Sequence, residues 1–221
     1  MTRPHPSPLP QAGEGAAPAV PAPSPPRGGE GWGEGACILA LLLTACNSVP
    51  ATRFHTLMPP LEARGAAPAA APAPWHLLPV TIPAQVDRPQ LVLRSADGSL
   101  AVLEQERWIA PLADELGGAL TEALARRLGP PGTSDPWQIA VDVQRFESVP
   151  GKLARLDAAW SVRRGSAAPL RCLAMLEQPA SADASSLAEA HRRAVQALGA
   201  RIGAAVAALQ AGGTPACTPP G

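Results

Sequence analysis

Leu112, Leu116, Leu120, Leu124 and Leu128 recur every fourth residue, with Ala119 and Ala123 beside them. That spacing lines one face of an amphipathic helix. The flanking segments keep a different period. Trp137, Ile139, Val141 and Val143 alternate with Gln138, Ala140, Asp142 and Gln144, which is the period of a half-buried strand. A second helical stripe follows: Leu187, His191, Ala194, Val195, Leu198, Ile202, Ala205, Val206 and Leu209. The order is strands, helix, strands, helix. It predicts an α+β fold, a mixed or antiparallel sheet with two main helices packed on one face.

Local signals place the elements. Arg53-Phe54-His55-Thr56-Leu57 is a short strand candidate, and Trp75 to Ile82 reads as a strand ending at Pro83. Leu91-Val92-Leu93-Arg94 and Leu100 to Leu103 flank Asp97-Gly98, a hairpin signal. Pro111 suits the first turn of the helix, and Gly129-Pro130-Pro131-Gly132 stops it. Gly117-Gly118 inside it costs roughly 1 kcal/mol per residue against Ala, or opens room for another backbone. Phe146 breaks the alternation after Val143, which predicts a bulge near Arg145. Leu156, Ala158, Trp160 and Val162 alternate in turn. Leu170 to Leu176 is apolar on both faces apart from Arg171, so it reads as a central strand. Trp137 and Trp160, on alternating strands, belong to the core.

The run Ile38-Leu39-Ala40-Leu41-Leu42 leads into Leu43-Thr44-Ala45-Cys46. A short apolar stretch ending in small residues marks a cleaved secretory signal. It is about 10 residues, half of what a membrane-spanning helix needs. With a cysteine in place it reads as a lipobox, with Cys46 as the acylated first residue of the mature chain. More than one acyl chain is what stable anchoring takes. Asn47, where an Asp would favour the inner membrane, points to the outer membrane.

Residues 1–35 lack the cationic start of a signal and are rich in Pro, Gly, Ala and Ser, a composition expected to be disordered. Ser7–Gly15 and Ser24–Gly31 are similar pieces that resemble translated repeat DNA, so the true start is expected downstream of Met1. The expected division is a leader over 1–35, a signal h-region over 36–45, and an anchor strand with a Pro/Ala linker over 46–74. An α+β domain over 75–211 and a tail over 212–221 complete it. About 176 residues follow the signal, enough for one domain.

The chain has four cysteines. Cys37 falls in the leader and Cys46 in the lipobox. Cys172 and Cys217 remain, an even pair in an oxidising compartment, and are expected to form a disulfide.

Little chemistry is written into the remaining residues. No phosphate loop or nucleophile elbow occurs. His5, His55, His76 and His191 are isolated, without metal-ligand spacing. Asp114-Glu115 fits a helix first turn, where the dipole favours acids, and is read as capping. His191, on the apolar stripe, is read as a satisfied, partly buried residue. Lys plus Arg equals Asp plus Glu at 18 each, and no basic stripe argues for nucleic acid. No catalytic, cofactor or metal site is expected.

Several segments resemble one family. Cys46 with Arg53-Phe54-His55-Thr56-Leu57, the stretch Leu78 to Val92 containing Asp87-Arg88-Pro89-Gln90, Glu106-Arg107-Trp108, Arg145-Phe146-Glu147 and Leu156 to Trp160 are similar to the ABC-type transport auxiliary lipoproteins, PqiC-like. The leader and the Ala/Pro linker depart from that pattern. The resemblance implies that Glu106-Arg107-Trp108 opens the first helix. It implies a non-enzymatic outer-membrane lipoprotein that serves an MCE-type lipid transporter, docks its subunits and forms ring-like homo-oligomers. The alternative is a structural lipoprotein or assembly factor of another envelope complex. Asp87, Arg88, Pro89, Gln90, Arg107 and Trp108 are the motif residues. Pro83 and Pro89 stiffen the backbone around Asp87, which can cap local amides, and Arg88, a planar donor fork. Two readings stand: a structural corner, or a docking loop. Trp108 reads as a core anchor.

Overall fold

The computed structural model describes residues 50–60, 73–215 and 217. Cys46, the signal, the leader and residues 61–72 of the linker lie outside them.

Among the described residues seven strands and two helices follow in order: β1 (Arg53–His55), β2 (Trp75–Leu77), β3 (Gln90–Arg94), β4 (Leu100–Trp108), α1 (Leu112–Leu128), β5 (Trp137–Val149), β6 (Leu153–Arg163), β7 (Leu170–Pro179) and α2 (Ala184–Gln210). One mixed sheet runs β1-β4-β3-β5-β6-β7, with β2 also paired to β5. The β3–β4, β5–β6 and β6–β7 pairs are antiparallel. The β1–β4, β2–β5 and β3–β5 pairs are parallel. This is the expected α+β class.

β5 organises the sheet. One of its edges pairs with β6 along nearly its whole length. The other is shared in turn by β2, by a bridge from Thr81 to Asp142, and by Leu93 of β3 opposite Ser148. The predicted bulge falls between Val143 and Arg145. It restores Phe146 to the buried face after the broken alternation.

The helices cover one face. α2 lies against β5, β6 and β7, and α1 against α2 and β2. All five leucines of the α1 stripe are buried. The helices cross where Gly199 meets Ala123: a Cβ on Gly199 would come within 2.5 Å of the Ala123 Cβ. The other sheet face is solvated and carries a ladder of ion pairs. Arg94–Glu147 (2.9 Å), Arg145–Asp157 (3.5 Å), Arg155–Asp157 (2.9 Å) and Arg155–Glu177 (3.0 Å) run from β3 to β7. The Asp157 hydrogen bond raises the Arg155 pKa above its ordinary value, against a small opposing effect of burial. Charged cross-strand pairs of this kind suit a one-sided antiparallel sheet.

The hairpin turn sits where Asp97-Gly98 puts it. Gly98 adopts φ 86°, which an L side chain resists. Asp97 accepts from the Ser99 amide and hydroxyl, and these bonds hold its carboxyl below the usual pKa. α2 begins at Asp183, whose carboxylate accepts from the Ser186 amide at 2.8 Å, a cap not singled out in the sequence reading.

Several expectations are corrected. Glu106-Arg107-Trp108 ends β4 and does not open α1, because its backbone pairs with β1 on one side and Gln90 on the other. Pro111 occupies the N-cap position. β7 is an edge strand, not a central one. Its Cys172, Ala174 and Leu176 face the core, while Leu173 and Met175 stay 46% and 41% exposed. Trp75 to Ile82 supplies only the three-residue β2 and the Thr81 bridge, since Pro79 cannot donate to a ladder. Likewise β1 stops at His55, and the chain turns to bury Leu57 fully. Gly117 faces open space, and Gly118 meets the Met58 side chain rather than a backbone. Cys172 and Cys217 are disulfide-bonded, with Cα atoms 5.2 Å apart.

Candidate docking surface

The motif residues converge at one corner of the sheet. From Pro83 to Arg88 the chain winds tightly: Val86 N–H donates to the Pro83 carbonyl (3.0 Å), and Arg88 N–H to that of Val86 (2.8 Å). Val86 is buried and anchors the loop, while Asp87 and Arg88 are exposed. Among the described residues no side-chain bond of Asp87 to a neighbouring amide is present, so the anticipated local cap is not made. Pro89 is the hinge to β3. Its carbonyl accepts the Trp108 N–H at 2.7 Å, and Gln90 stands opposite Arg107. Arg107 Nε donates to the Glu104 carbonyl at 3.2 Å, and Gln90 Nε2 to the Glu104 carboxylate at 3.2 Å.

Trp108 is the core anchor of this corner. It is buried and meets Phe146 edge-on at 6.0 Å. Phe146 stacks on His191 of α2 at 3.7 Å and 9°. The exposed loop is thus backed by packed rings that reach the longer helix.

The other side of β4 holds β1, the segment nearest the proposed anchor. Glu106 is buried. It pairs with Arg53 and meets His55 Nε2 at 2.6 Å. Burial works against the Glu106 carboxylate, but the His55 and Arg53 contacts outweigh it and hold its pKa below the ordinary value. Glu115 of α1 is buried as well. Its carboxylate accepts from the Thr56 hydroxyl and the Leu57 amide, both at 2.7 Å. The sequence reading took Glu115 as a cap of its own helix; it ties down the segment after β1 instead. His55, Glu106 and Glu115 went unnoticed as a group, because His55 and Glu106 are 51 residues apart and no local pattern links them.

One pair looks superficially nucleophilic. Ser148 Oγ and His191 Nε2 are 2.9 Å apart. His191 is fully buried and Ser148 nearly so. Burial lowers the His191 pKa to about 3, and Nδ1 has no partner, so the expectation of a fully satisfied histidine holds for one nitrogen only. A general base needs an accessible substrate and an orienting partner; this pair has neither. A recess of about 660 Å³ on the solvated sheet face, floored by Ala140 and Ala159, has its Asp142 carboxylate already taken by the Thr81 hydroxyl at 2.5 Å. Among the described residues no cluster of His, Cys, Asp or Glu could hold a metal. No helix among them is long and apolar enough to cross a membrane.

Known proteins bear on this geometry. No curated protein matches the chain. A crystal structure of an uncharacterized protein superposes with a TM-score of 0.58 at 15% identity, covering 71% of this chain and 99% of that one. A crystal structure from Xanthomonas campestris, of the family DUF330, gives a TM-score of 0.56 at 21% identity, covering 73% and 98%. At such identities these likenesses speak for the fold. The model of the ABC-type transport auxiliary lipoprotein component matches residues 55–203, a span that includes the motif corner, α1, most of α2 and the sheet from His55 onward. The chain belongs to the family of ABC-type transport auxiliary lipoproteins.

Proposed function

We propose that this protein is a non-enzymatic accessory subunit of an MCE-type lipid transporter. In this reading Cys46 carries the acyl chains, the outer membrane holds the chain from its periplasmic side, and the folded domain docks transporter subunits. Self-association into a ring belongs to the same proposal. The observation that carries it is the corner at Asp87-Arg88. Both side chains are exposed on a turn fixed by Pro83, Pro89 and the Pro89–Trp108 bond. A rigid loop presenting one acid and one guanidinium offers directional polar contacts at little ordering cost.

The test is capture of MCE-type subunits from envelope extracts by the full chain. Charges at an interface rim govern steering and exclude wrong partners. Swapping the signs (Asp87→Arg with Arg88→Glu) is expected to cut capture by about tenfold or more with an unchanged unfolding midpoint. Unaltered capture would return the motif to a structural corner. Intact mass of the membrane-extracted protein, beside Cys46→Ala, tests the anchor separately. Acyl mass on Cys46 is expected in the first and absent in the second.

A further inference from the structure

Phe54 and Ile109 are 59% and 60% exposed, and the docking loop uses neither. They are neighbours. Phe54 is the register partner of Arg107, on the face opposite Glu106 and Trp108, which are buried. Ile109 lies two residues beyond Arg107, and its N–H donates to the His55 carbonyl at 2.9 Å. Large apolar side chains scattered singly on a surface need no explanation. Phe54 on the strand that leads to the proposed anchor, with Ile109 from the end of β4 bonded beside it, asks for an occupant.

We propose that Phe54 and Ile109 seat the β1 edge of the sheet in the lipid surface that holds the acylated Cys46, with the Arg107 guanidinium at phosphate level. The inference rests on the anchoring reading above. Phe54 follows Cys46 by eight residues, so it stays within roughly 30 Å of the anchored residue even on a fully extended chain. Arg107 bonds a backbone carbonyl, and no carboxylate pairs with it among the described residues, so its charge is free for a lipid phosphate. An aromatic and an aliphatic side chain beside a cation on an apolar stem suit the bilayer interface. The rival occupant is a protein. A stable protein interface takes about 800 Å² per partner, far more than two side chains offer, and this favours the bilayer. Because acyl chains already supply affinity, the patch sets the orientation of the domain.

The experiment uses full-length, acylated protein reconstituted into phosphatidylethanolamine/phosphatidylglycerol vesicles containing a lipid spin-labelled near its headgroup. Phe54→Cys, Ile109→Cys and, as a control on the far edge, Leu173→Cys each carry a polarity-sensitive fluorophore, with the Cys172–Cys217 disulfide kept oxidised. Flotation of the vesicles is read first. Protein that floats, with the probes at 54 and 109 blue-shifted and losing most of their emission while the probe at 173 keeps its own, supports the inference. Protein that floats with all three probes equally unquenched overturns the lipid contact and leaves the anchor standing. Protein that does not float overturns the anchor and the inference with it. Shielding at 54 and 109 that appears only after transporter subunits are added, without quenching by lipid, also overturns it and gives the surface to a protein partner.

Discussion

The two edges of the sheet are secured by different means. β1 is three residues long, too short for backbone pairing to hold it. Side chains hold it instead: Glu106 grips Arg53 and His55, and Glu115 grips Thr56 and Leu57. β7 has a ten-residue strand, a full antiparallel ladder on β6 and a covalent strap to Cys217. β1 is held by groups that can be satisfied again if it slips, whereas the far edge is fixed by a bond. The lesson is that strand length alone does not rank the security of an edge. The buried acceptors behind it count as much.

Breaking the covalent edge should cost most. Cys217→Ser opens a bond that closes a separation of 45 residues, and the chain-entropy model puts its loss at about 3–4 kcal/mol. Urea unfolding under non-reducing conditions would read it, with β7 amides exchanging faster than those of β4. Glu115→Ala strikes the other edge. It strands the buried Leu57 amide and removes a charge-assisted bond, an expected loss of about 2–3 kcal/mol. Exchange at residues 53–57 should rise while β7 keeps its protection. Equal loosening at both edges would show that they do not act separately.

The third prediction separates the edges from the centre. His191 titrates at about 3 in the fold against 6.5 ordinarily, so below 6.5 the unfolded chain takes up a proton that the folded chain refuses. Stability from this site is whole above 6.5 and falls as the pH drops toward 3, by at most about 1.4 kcal/mol per pH unit. Glu106, with its lowered pKa, adds its own loss only below the ordinary glutamate range. Unfolding between pH 6 and 5 lies above the Glu106 loss, and His191→Gln should flatten the slope there. The smallest effect is expected for Arg53→Ala. Its side chain is 72% exposed, and solvent-screened pairs contribute about 0–1 kcal/mol; a larger measured loss would make β1 more dependent on this pair than its exposure implies.

What was legible in the sequence follows periodicity. The leucine stripe of α1, the hairpin at Asp97-Gly98 and the bulge before Phe146 each rest on a local rule, and each stands where it was expected. Edge against centre was not legible for β7. Its outward Leu173 and Met175 look like a second buried face but stay exposed, and only pairing across the sheet shows that β7 has β6 as its one neighbour among the described strands. The family resemblance implies a helix start at Glu106-Arg107-Trp108, yet distant β1 and Gln90 claim its backbone. The motif corner was legible as residues but not as a neighbourhood, since the Trp108–Phe146 and Phe146–His191 ring contacts that back it join β4, β5 and α2.

β5 has a mechanical consequence. A sheet usually offers a seam, a pair of neighbouring strands along which two halves can part. Here one thirteen-residue strand borders β6 along a long ladder on one side and three separate segments on the other, so parting the sheet at β5 means breaking either that whole ladder or three independent contacts. The three-residue β1 is the easier place to open, and a pull delivered through it would peel that rim first. In the proposed anchored state, that puts the first give at β1 and not at the corner at Asp87-Arg88.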